Sequence, residues 1–281
     1  MNTATPTSEP RPSGKVWLIG AGPGDAELLT LKAARVLKAC TVWLVDDLVG
    51  PDILAMAAPQ THIVKVGKRG GRASTSQQFI LRLMARYARS GHIVARLKGG
   101  DPFIFGRGGE EMAWLDRRGI EVESISGITA GLAIGSALGL PLTHRGVSRG
   151  VSLVTAHTAD GASPDWRALA QSGLTIVCYM GMSNADKLAA ELMAAGFPAA
   201  LPVAVVQHVS CTAQRHVATT LQHLARDIEA YQLGSPAVIV LGEVVNHRLD
   251  LADSAIQADP LSLEQSSTYT IPIRANHRGA S

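Results

Sequence analysis

Four glycine-rich or charged segments each follow a short apolar run, and they contain the residues best suited to ligand binding and chemistry. The first is Gly20–Asp25, with the sequence GAGPGD. A glycine-rich turn between a strand and a helix is typical of dinucleotide sites. Here, however, Asp25 stands where the third glycine of that fingerprint would fall, and a carboxylate there would repel a pyrophosphate. The segment therefore indicates either a ligand without phosphate groups or a tight turn in which Asp25 caps the next helix.

The second segment, Val94–Glu111, is the longest and has the sequence VARLKGGDPFIFGRGGEE. Gly99 and Gly100 allow a ligand to approach the backbone closely, because neither carries a side chain. The Asp101 carboxylate can accept hydrogen bonds from hydroxyl groups or from a cationic amine. A turn with capping acids alone would not require so long and dense a string, so we interpret it as a binding loop.

The third and fourth segments add small residues and positive charge. Ser126–Gly131 (SGITAG) follows a strand and begins a helix of small residues, where a flat ligand face or another helix could pack against the backbone. Val66–Arg72 (VGKRGGR) also follows a strand. Its cationic side chains suit carboxylates, which arginine can bind bidentately, although a solvated loop would have the same composition.

The elements that must position these segments alternate between strand and helix. In the first half the predicted strands are Val16–Gly20, Thr41–Val45, His62–Val66, His92–Leu97 and Glu121–Ile125, with helices after Asp25 and over Thr75–Ser90. This alternation predicts a parallel sheet with crossover helices. A second series of strand-like runs begins near Val151, with helices predicted over Ala185–Ala195 and Thr219–Tyr231.

The turn-rich stretch Leu140–Gly150 separates the two series. We therefore predict two α/β domains, over residues 15–147 and 148–250. Residues 1–14 and 251–281 are polar and lack a hydrophobic period, so we expect a disordered N-terminal tail and a flexible C-terminal tail.

Composition excludes several classes of protein. The 281 residues are 46% hydrophobic and 17% charged, so the chain can bury a core and is neither fibrous nor intrinsically disordered. It contains no apolar run of about 18 residues and no N-terminal apolar signal, so we expect neither a membrane span nor secretion. The three cysteines share no metal-ligand spacing and are interpreted as core residues, which fits a reducing cytoplasm and predicts no metal.

Positive charge is concentrated in the middle of the chain. Residues 61–150 contain 14 basic and 6 acidic residues, whereas the chain as a whole has a net charge of only +3. Such a distribution favours an anionic ligand at one surface. Basic runs with interleaved aromatic residues are absent, so nucleic acid is not the expected partner.

Together with GLPLTHR, VCYMG and SPAVIVLGEVV, these segments resemble the tetrapyrrole methyltransferase family over nearly all of residues 15–246. The resemblance implies a homodimer of two-domain α/β subunits with a ligand cleft between the domains. It also implies binding of S-adenosylmethionine and methylation of uroporphyrinogen III at C2 and C7, which gives precorrin-2 for sirohaem or cobalamin.

The resemblance also implies which residues form the site. It assigns Asp46 as proton acceptor and Lys68 as proton donor. The residues matched to the binding of the methyl donor are Pro23, Gly99, Gly100, Asp101, Ile104, Thr129, Ala130, Met180, Val209 and Ala237. Val209 stands where the family has glycine, so any contact there must be through its backbone. An alternative role for Asp46 is to cap the next helix or to hold the first loop.

The substrate that the resemblance implies would account for the local positive charge, since uroporphyrinogen carries eight carboxylates. Candidate clamps for them are Arg69, Arg72, Arg107, Arg145 and Arg149, together with Lys68. For His144, a capping or core role is favoured over a donor role. Three alternatives remain: methylation of a later corrin precursor, a nicotinamide-dependent oxidoreductase, and a non-catalytic sensor of the methyl donor.

Overall fold

The computed structural model describes residues 14–67, 75–156 and 162–248, which form two β-sheets flanked by helices. The strands of the first sheet are Lys15–Gly20 (β1), Val42–Val45 (β2), His62–Lys65 (β3), Ile93–Lys98 (β4) and Glu121–Ile125 (β5). The helices of this half are Leu31–Ala39 (α1), Pro51–Ala55 (α2), Gln77–Arg89 (α3), Gly108–Asp116 (α4) and Ala130–Leu138 (α5).

All neighbouring strands of the first sheet run parallel, in the order β3-β2-β4-β1-β5. This confirms the predicted parallel sheet. Because the strands are parallel, the loops that follow them all emerge at one edge, and β1 lies between β4 and β5. The three glycine-rich loops after these strands are therefore neighbours, at the edge where open α/β sheets bind ligands.

Side chains of β4 alternate between two cores. Ala95 and Leu97 face the core that contains Trp43 and the buried face of α1. Val94 faces the other core, which is built on α3 and on Leu115 of α4. Since alternate residues of a strand share a face, the buried Arg96 and Lys98 lie on the side of α3 and α4.

Helix starts follow ordinary capping chemistry, with one departure from prediction. The Thr30 hydroxyl accepts a hydrogen bond from the Ala33 amide (3.1 Å) at the start of α1, and Ser76 caps α3 in the same way. The prediction that Asp25 caps α1 was wrong. Asp25 accepts from the Glu27 amide at 2.8 Å and caps a separate 3-10 turn, Ala26–Leu28. The helical pattern after Asp25 therefore includes a short turn before the α-helix begins.

The second sheet is mixed. Its strands are Val151–Thr155 (β6), Thr175–Tyr179 (β7), Pro202–Gln207 (β8), Arg215–Thr220 (β9) and Ala237–Leu241 (β10), and its helices are Trp166–Ser172 (α6), Ala185–Ala194 (α7) and Leu224–Ala230 (α8). The order is β6-β7-β10-β8-β9, with β6 and β7 parallel and the other pairs antiparallel. Helix α5 packs its buried face, including Ile134, against this sheet.

The predicted start of the helix Thr219–Tyr231 was wrong, because Thr219 and Thr220 belong to β9. Strand β9 is an edge strand that pairs only with β8. It buries only Val217 fully, so its hydrophobic alternation is weak. Among the described residues, no helix is long and apolar enough to cross a membrane.

Candidate active site

The loops after β1 and β4 are bonded directly to each other. The Gly100 amide donates to the Gly22 carbonyl (2.7 Å), and the Gly22 amide donates to the Gly100 carbonyl (3.2 Å). A side chain on Gly20 would place its Cβ 2.7 Å from the Gly100 carbonyl oxygen, and one on Gly127 would meet the same atom. These glycines are required because three loop backbones converge at one point.

Asp101 joins the loops after β4 and β5. Its side chain is buried; Oδ1 accepts from the Phe103 amide (2.8 Å) and Oδ2 accepts from the Gly127 amide (3.0 Å). Both carboxylate oxygens therefore have backbone partners within the protein. The geometry gives Asp101 a definite role in holding the loop shape, whereas its predicted contact with a methyl donor stays a prediction.

The start of α5 is capped by a side chain from the second sheet. The Tyr179 hydroxyl lies 2.7 Å from the Thr129 hydroxyl and accepts a hydrogen bond from the Gly131 amide, also at 2.7 Å. Burial raises the pKa of Tyr179, and the hydrogen bonds with Thr129 and Gly131 oppose this in part. Sequence reasoning missed Tyr179, although its position directly before the predicted Met180 was a usable signal.

A second contact links the halves of the chain at the first loop. The Asp25 amide donates to the Ser210 hydroxyl (3.2 Å), and Gly24 lies so close to Cys211 that a Cβ at Gly24 would collide with the thiol. Val209, next to Ser210, has its side chain buried in the apolar core under α5. Only the Val209 backbone can therefore face a ligand, in agreement with the sequence expectation.

Backbone strain is concentrated in the same loops. Phe105, Arg107 and Met180 have φ angles of 51°, 58° and 58°, in the left-handed region that non-glycine residues rarely adopt. Met180 is half exposed, and the Phe105 ring lies 4.9 Å from that of Tyr179. Ile104 is partly buried in the same turn. Strained residues of this kind cluster at binding sites, where the surrounding structure holds them in place.

Asp46 lies at the end of β2 and contacts a buried arginine. Its carboxylate Oδ2 is 3.2 Å from Nη2 of Arg96, and its side chain is 34% exposed while that of Arg96 is 2% exposed. Its other oxygen, Oδ1, has no hydrogen-bond partner within residues 14–67, 75–156 and 162–248. Asp46 is therefore anchored on one side and open on the other, an arrangement that suits a proton acceptor.

Arg96 belongs to a wholly buried cluster that the sequence analysis did not find. Arg96 Nε and Lys98 Nζ both donate to Oε1 of Glu111, at 3.4 and 3.3 Å. Gln77 Nε2 donates to the same oxygen at 2.9 Å. Burial and the nearby Arg96 charge lower the pKa of Lys98, and the negative charges of Glu111 and Asp46 oppose this. Buried charges of both signs are tolerated only when they are paired in this way.

The structure describes only some of the basic residues that were predicted to bind substrate carboxylates. Lys68, Arg69 and Arg72 lie outside the described residues. Arg145 and Arg149 are exposed in the link between α5 and β6. Beside Arg145, the exposed His144 ring donates from Nδ1 to the Arg145 carbonyl (3.0 Å) and stacks on His247, with ring centroids 4.4 Å apart.

Arg107 is exposed but engaged within the protein. Its Nε and Nη2 donate to the two carboxylate oxygens of Glu110, at 3.0 and 2.6 Å. Both residues line a cavity of about 540 Å³ between the first turns of α3 and the length of α4, which Arg117 borders at the end of α4. A carboxylate ligand at Arg107 would have to compete with Glu110.

Comparisons with known proteins identify the protein family. The family of tetrapyrrole (corrin/porphyrin) methylases matches residues 15–225. The chain therefore belongs to this family, which confirms the resemblance inferred from its motifs.

The chain is also similar to individual members of this family. The chain is 55% identical, over 232 residues, to uroporphyrinogen-III C-methyltransferase of Pseudomonas aeruginosa; this match covers 83% of the chain and 94% of the relative. The crystal structure of uroporphyrin-III C-methyl transferase from Thermus thermophilus, complexed with S-adenyl homocysteine, is 43% identical with a TM-score of 0.73, covering 83% and 100%. A cobalt precorrin-4 methyltransferase is 28% identical with a TM-score of 0.74, covering 85% and 99%. The predicted two-part α/β fold is thus confirmed.

Proposed function

We propose that this protein transfers methyl groups from S-adenosylmethionine to C2 and C7 of uroporphyrinogen III, giving precorrin-2. The observation that carries the proposal is the 55% identity to a uroporphyrinogen-III C-methyltransferase across 94% of that relative's length. The position of Asp46, at the same sheet edge as the three joined loops, supplies a chemical group that the reaction needs.

The loops suit the methyl donor in shape and chemistry. Gly20, Gly100 and Gly127 form a floor without side chains, and the exposed Ile128 and Met180 provide apolar surface for a flat ring. The donor supplies a methyl group that is already activated by its sulfonium charge. What remains for the protein is to hold an electron-rich ring carbon in line with that group, which is a task of orientation.

The second requirement is removal of a proton. Methylation of a pyrrole carbon leaves a cationic ring, which becomes neutral when a proton is lost elsewhere on the macrocycle. Asp46 Oδ1 is the atom we assign to accept it, because Oδ2 is held by Arg96. Lys68 is proposed as the proton donor on the sequence resemblance alone.

Substrate binding is proposed to depend on the basic residues of the middle segment. The eight carboxylates of uroporphyrinogen match the cationic side chains of Lys68, Arg69, Arg72, Arg107, Arg145 and Arg149. Such contacts weaken with salt, so the KM for the tetrapyrrole should rise with ionic strength more than the Kd for the donor.

We further propose a homodimer that acts in the cytoplasm, with domains over residues 15–147 and 148–250. The N-terminal segment 1–14 and the C-terminal segment 251–281 are proposed as tails. Sedimentation equilibrium would test the dimer: a mass of about 59 kDa supports it, and 29.5 kDa contradicts it.

The test of function is an anaerobic assay with S-adenosylmethionine and uroporphyrinogen III, followed by mass spectrometry of the tetrapyrrole. A gain of two methyl groups supports the proposal. If calorimetry shows that the protein does not bind the methyl donor, the proposal is overturned.

A second candidate is methylation of a later corrin precursor. The TM-score with the cobalt precorrin-4 methyltransferase is 0.74, so the fold alone does not separate the two substrates. The identities of 43% and 28% to the two solved structures favour uroporphyrinogen III. Donor binding without methylation of uroporphyrinogen III, together with methylation of a corrin precursor, would reverse this preference.

A further inference from the structure

The cluster of Arg96, Lys98 and Glu111 has no part in the proposed function as stated so far, yet it is the most deeply buried charged group near Asp46. Glu111 is completely buried, and its Oε2 has no hydrogen-bond partner in the part of the chain that the structure describes. Three donors share the other oxygen, Oε1. A stability role alone does not require this arrangement, since apolar residues of similar volume often stabilise a core equally well or better.

We propose that Arg96 is a positioning residue for Asp46, and that Glu111 acts through Arg96 by fixing the guanidinium that holds that carboxylate. This inference rests on the proposed function of Asp46 as proton acceptor. It assigns no contact with substrate to either Arg96 or Glu111.

The first support is that the guanidinium of Arg96 is fixed on every side. Nη1 donates to the carbonyls of Leu97 (3.1 Å) and Leu44 (3.5 Å), which belong to the adjacent strands β4 and β2. Nε donates to Glu111 from α4, and Nη2 is left for Asp46. A planar fork held in this way presents Nη2 at one place only. It therefore fixes Oδ2 of Asp46 and leaves Oδ1 facing outward.

The second support is the balance of charge around Asp46. The charged groups that face it from packed elements are Arg96 and Lys98 on β4 and Glu111 on α4, and Asp47 is its exposed neighbour along the chain. Of these, Arg96 is the group in contact with the Asp46 carboxylate, and Glu111 is the acidic group in contact with Arg96 and Lys98. Paired buried charges hold one another in place, so Glu111 helps to keep the guanidinium where Asp46 meets it.

The two residues therefore have a shared predicted effect on Asp46. Loss of the Arg96 guanidinium removes the donor that holds Oδ2, and loss of the Glu111 carboxylate removes the acceptor of Arg96 Nε. A purely structural cluster would alter stability and leave kcat of the folded protein unchanged.

The experiment measures kcat and KM under anaerobic conditions, beside a thermal melt, for wild type, Arg96→Met, Arg96→Lys and Glu111→Gln. In Arg96→Met we expect kcat at neutral pH to fall roughly tenfold or more, a part of the 10²–10⁴ that a positioned base contributes. Since neither Arg96 nor Glu111 is assigned a contact with substrate, KM should stay near the wild-type value. In Glu111→Gln kcat should fall in the same direction by a smaller factor.

Arg96→Lys separates charge from geometry. A lysine retains the positive charge, but its single ammonium cannot reproduce the fork between Glu111 and Asp46. Its kcat should therefore still fall. Arg82→Met on the exposed face of α3 and Glu229→Gln on α8 are the matched controls, and they should match wild type in both kcat and KM.

The outcomes separate this inference from the proposed function. If wild type gains no methyl groups, the proposed function fails; if Asp46→Asn retains full activity, the role of Asp46 fails. With both intact, full activity in Arg96→Lys overturns the positioning role. An unchanged kcat in folded Arg96→Met or Glu111→Gln, or a rise in KM without a fall in kcat, would also overturn it. Should Arg96→Met fail to fold, Arg96→Lys and Glu111→Gln still decide the question.

Discussion

The first sheet with its helices buries four charged side chains among the described residues, namely Arg96, Lys98, Asp101 and Glu111, whereas the described part of the second half buries none. In the described part of the second half, the buried polar residues are Ser148 and Thr175. Charge in a core is costly unless it is paired, so its concentration in one sheet supports the proposal that the chemistry is performed there. The second sheet contributes loops with two hydroxyls, those of Tyr179 and Ser210, that contact that edge.

The largest effect should come from Asp46→Asn. An asparagine cannot accept the proton, so kcat should fall by about 10²–10⁴. Because the Asp46 side chain is one-third exposed, unfolding temperature should change little. Stopped-time methylation assays with a thermal melt would check both. Retained activity would show that the charged edge of the first sheet is not where proton removal occurs.

Glu111→Leu should test the cost of the buried cluster itself. Removing the carboxylate leaves Arg96 and Lys98 without a buried partner, so we expect a loss of roughly 3–5 kcal/mol in the free energy of unfolding. Urea denaturation would measure it. A loss below about 1 kcal/mol would mean that the cluster hydrates or rearranges freely.

Tyr179→Phe should test the contact between the two halves of the chain, because it removes the hydroxyl through which the second sheet caps α5. The Gly131 amide would lose its partner, which should cost about 1–3 kcal/mol of stability. Calorimetry should also show weaker binding of S-adenosylmethionine, since Thr129 and Gly131 begin α5 at the predicted donor site. Unchanged stability and binding would show that the two sheets are not coupled at this point.

Alkaline pH should affect both sheets alike. Burial raises the pKa of the Cys40 and Cys178 thiols from 9.0 to about 12, one in each half of the chain. The folded state therefore holds these protons more tightly than the unfolded chain, so the stability they confer is full below pH 9 and is lost as pH rises toward 12. Unfolding measured from pH 8 to 11 should show a shallower decline in Cys178→Ala than in wild type. Equal slopes would contradict the burial of this thiol.

The smallest effect is expected from Thr175→Val in the second sheet. The Thr175 hydroxyl oxygen is buried without a hydrogen-bond partner in the described part of the chain, so valine should leave stability unchanged or raise it by up to about 1 kcal/mol. Urea denaturation beside Glu111→Leu gives the direct contrast between the halves. A loss above 1 kcal/mol would show that this hydroxyl has a partner in solution.

Sequence reasoning found the elements whose signals are local. All five strands of the first sheet were predicted to within two residues at either end. The signal is plainest in β2, whose four residues are all apolar and buried, as in a parallel strand that is covered on both faces. The missed α-helices and strands were α2, α6 and β9, each with a single buried apolar residue. The missed site residues were Arg96, Glu111 and Tyr179. Their significance lies in contacts across 15 to 50 residues of sequence, which no local pattern records.

The family, the parallel sheet and the order of the loops could be predicted from the chain alone, because glycine spacing and apolar runs are local features of a sequence. The fold was needed to show that Asp101 joins two loops, that Asp25 caps a 3-10 turn rather than α1, and that Asp46 is held by Arg96. Each of these depends on which backbone and side-chain groups meet once the strands are ordered β3-β2-β4-β1-β5. A carboxylate is the same chemical group whether it caps a helix or takes part in catalysis. The partners that it gains on folding distinguish the two roles.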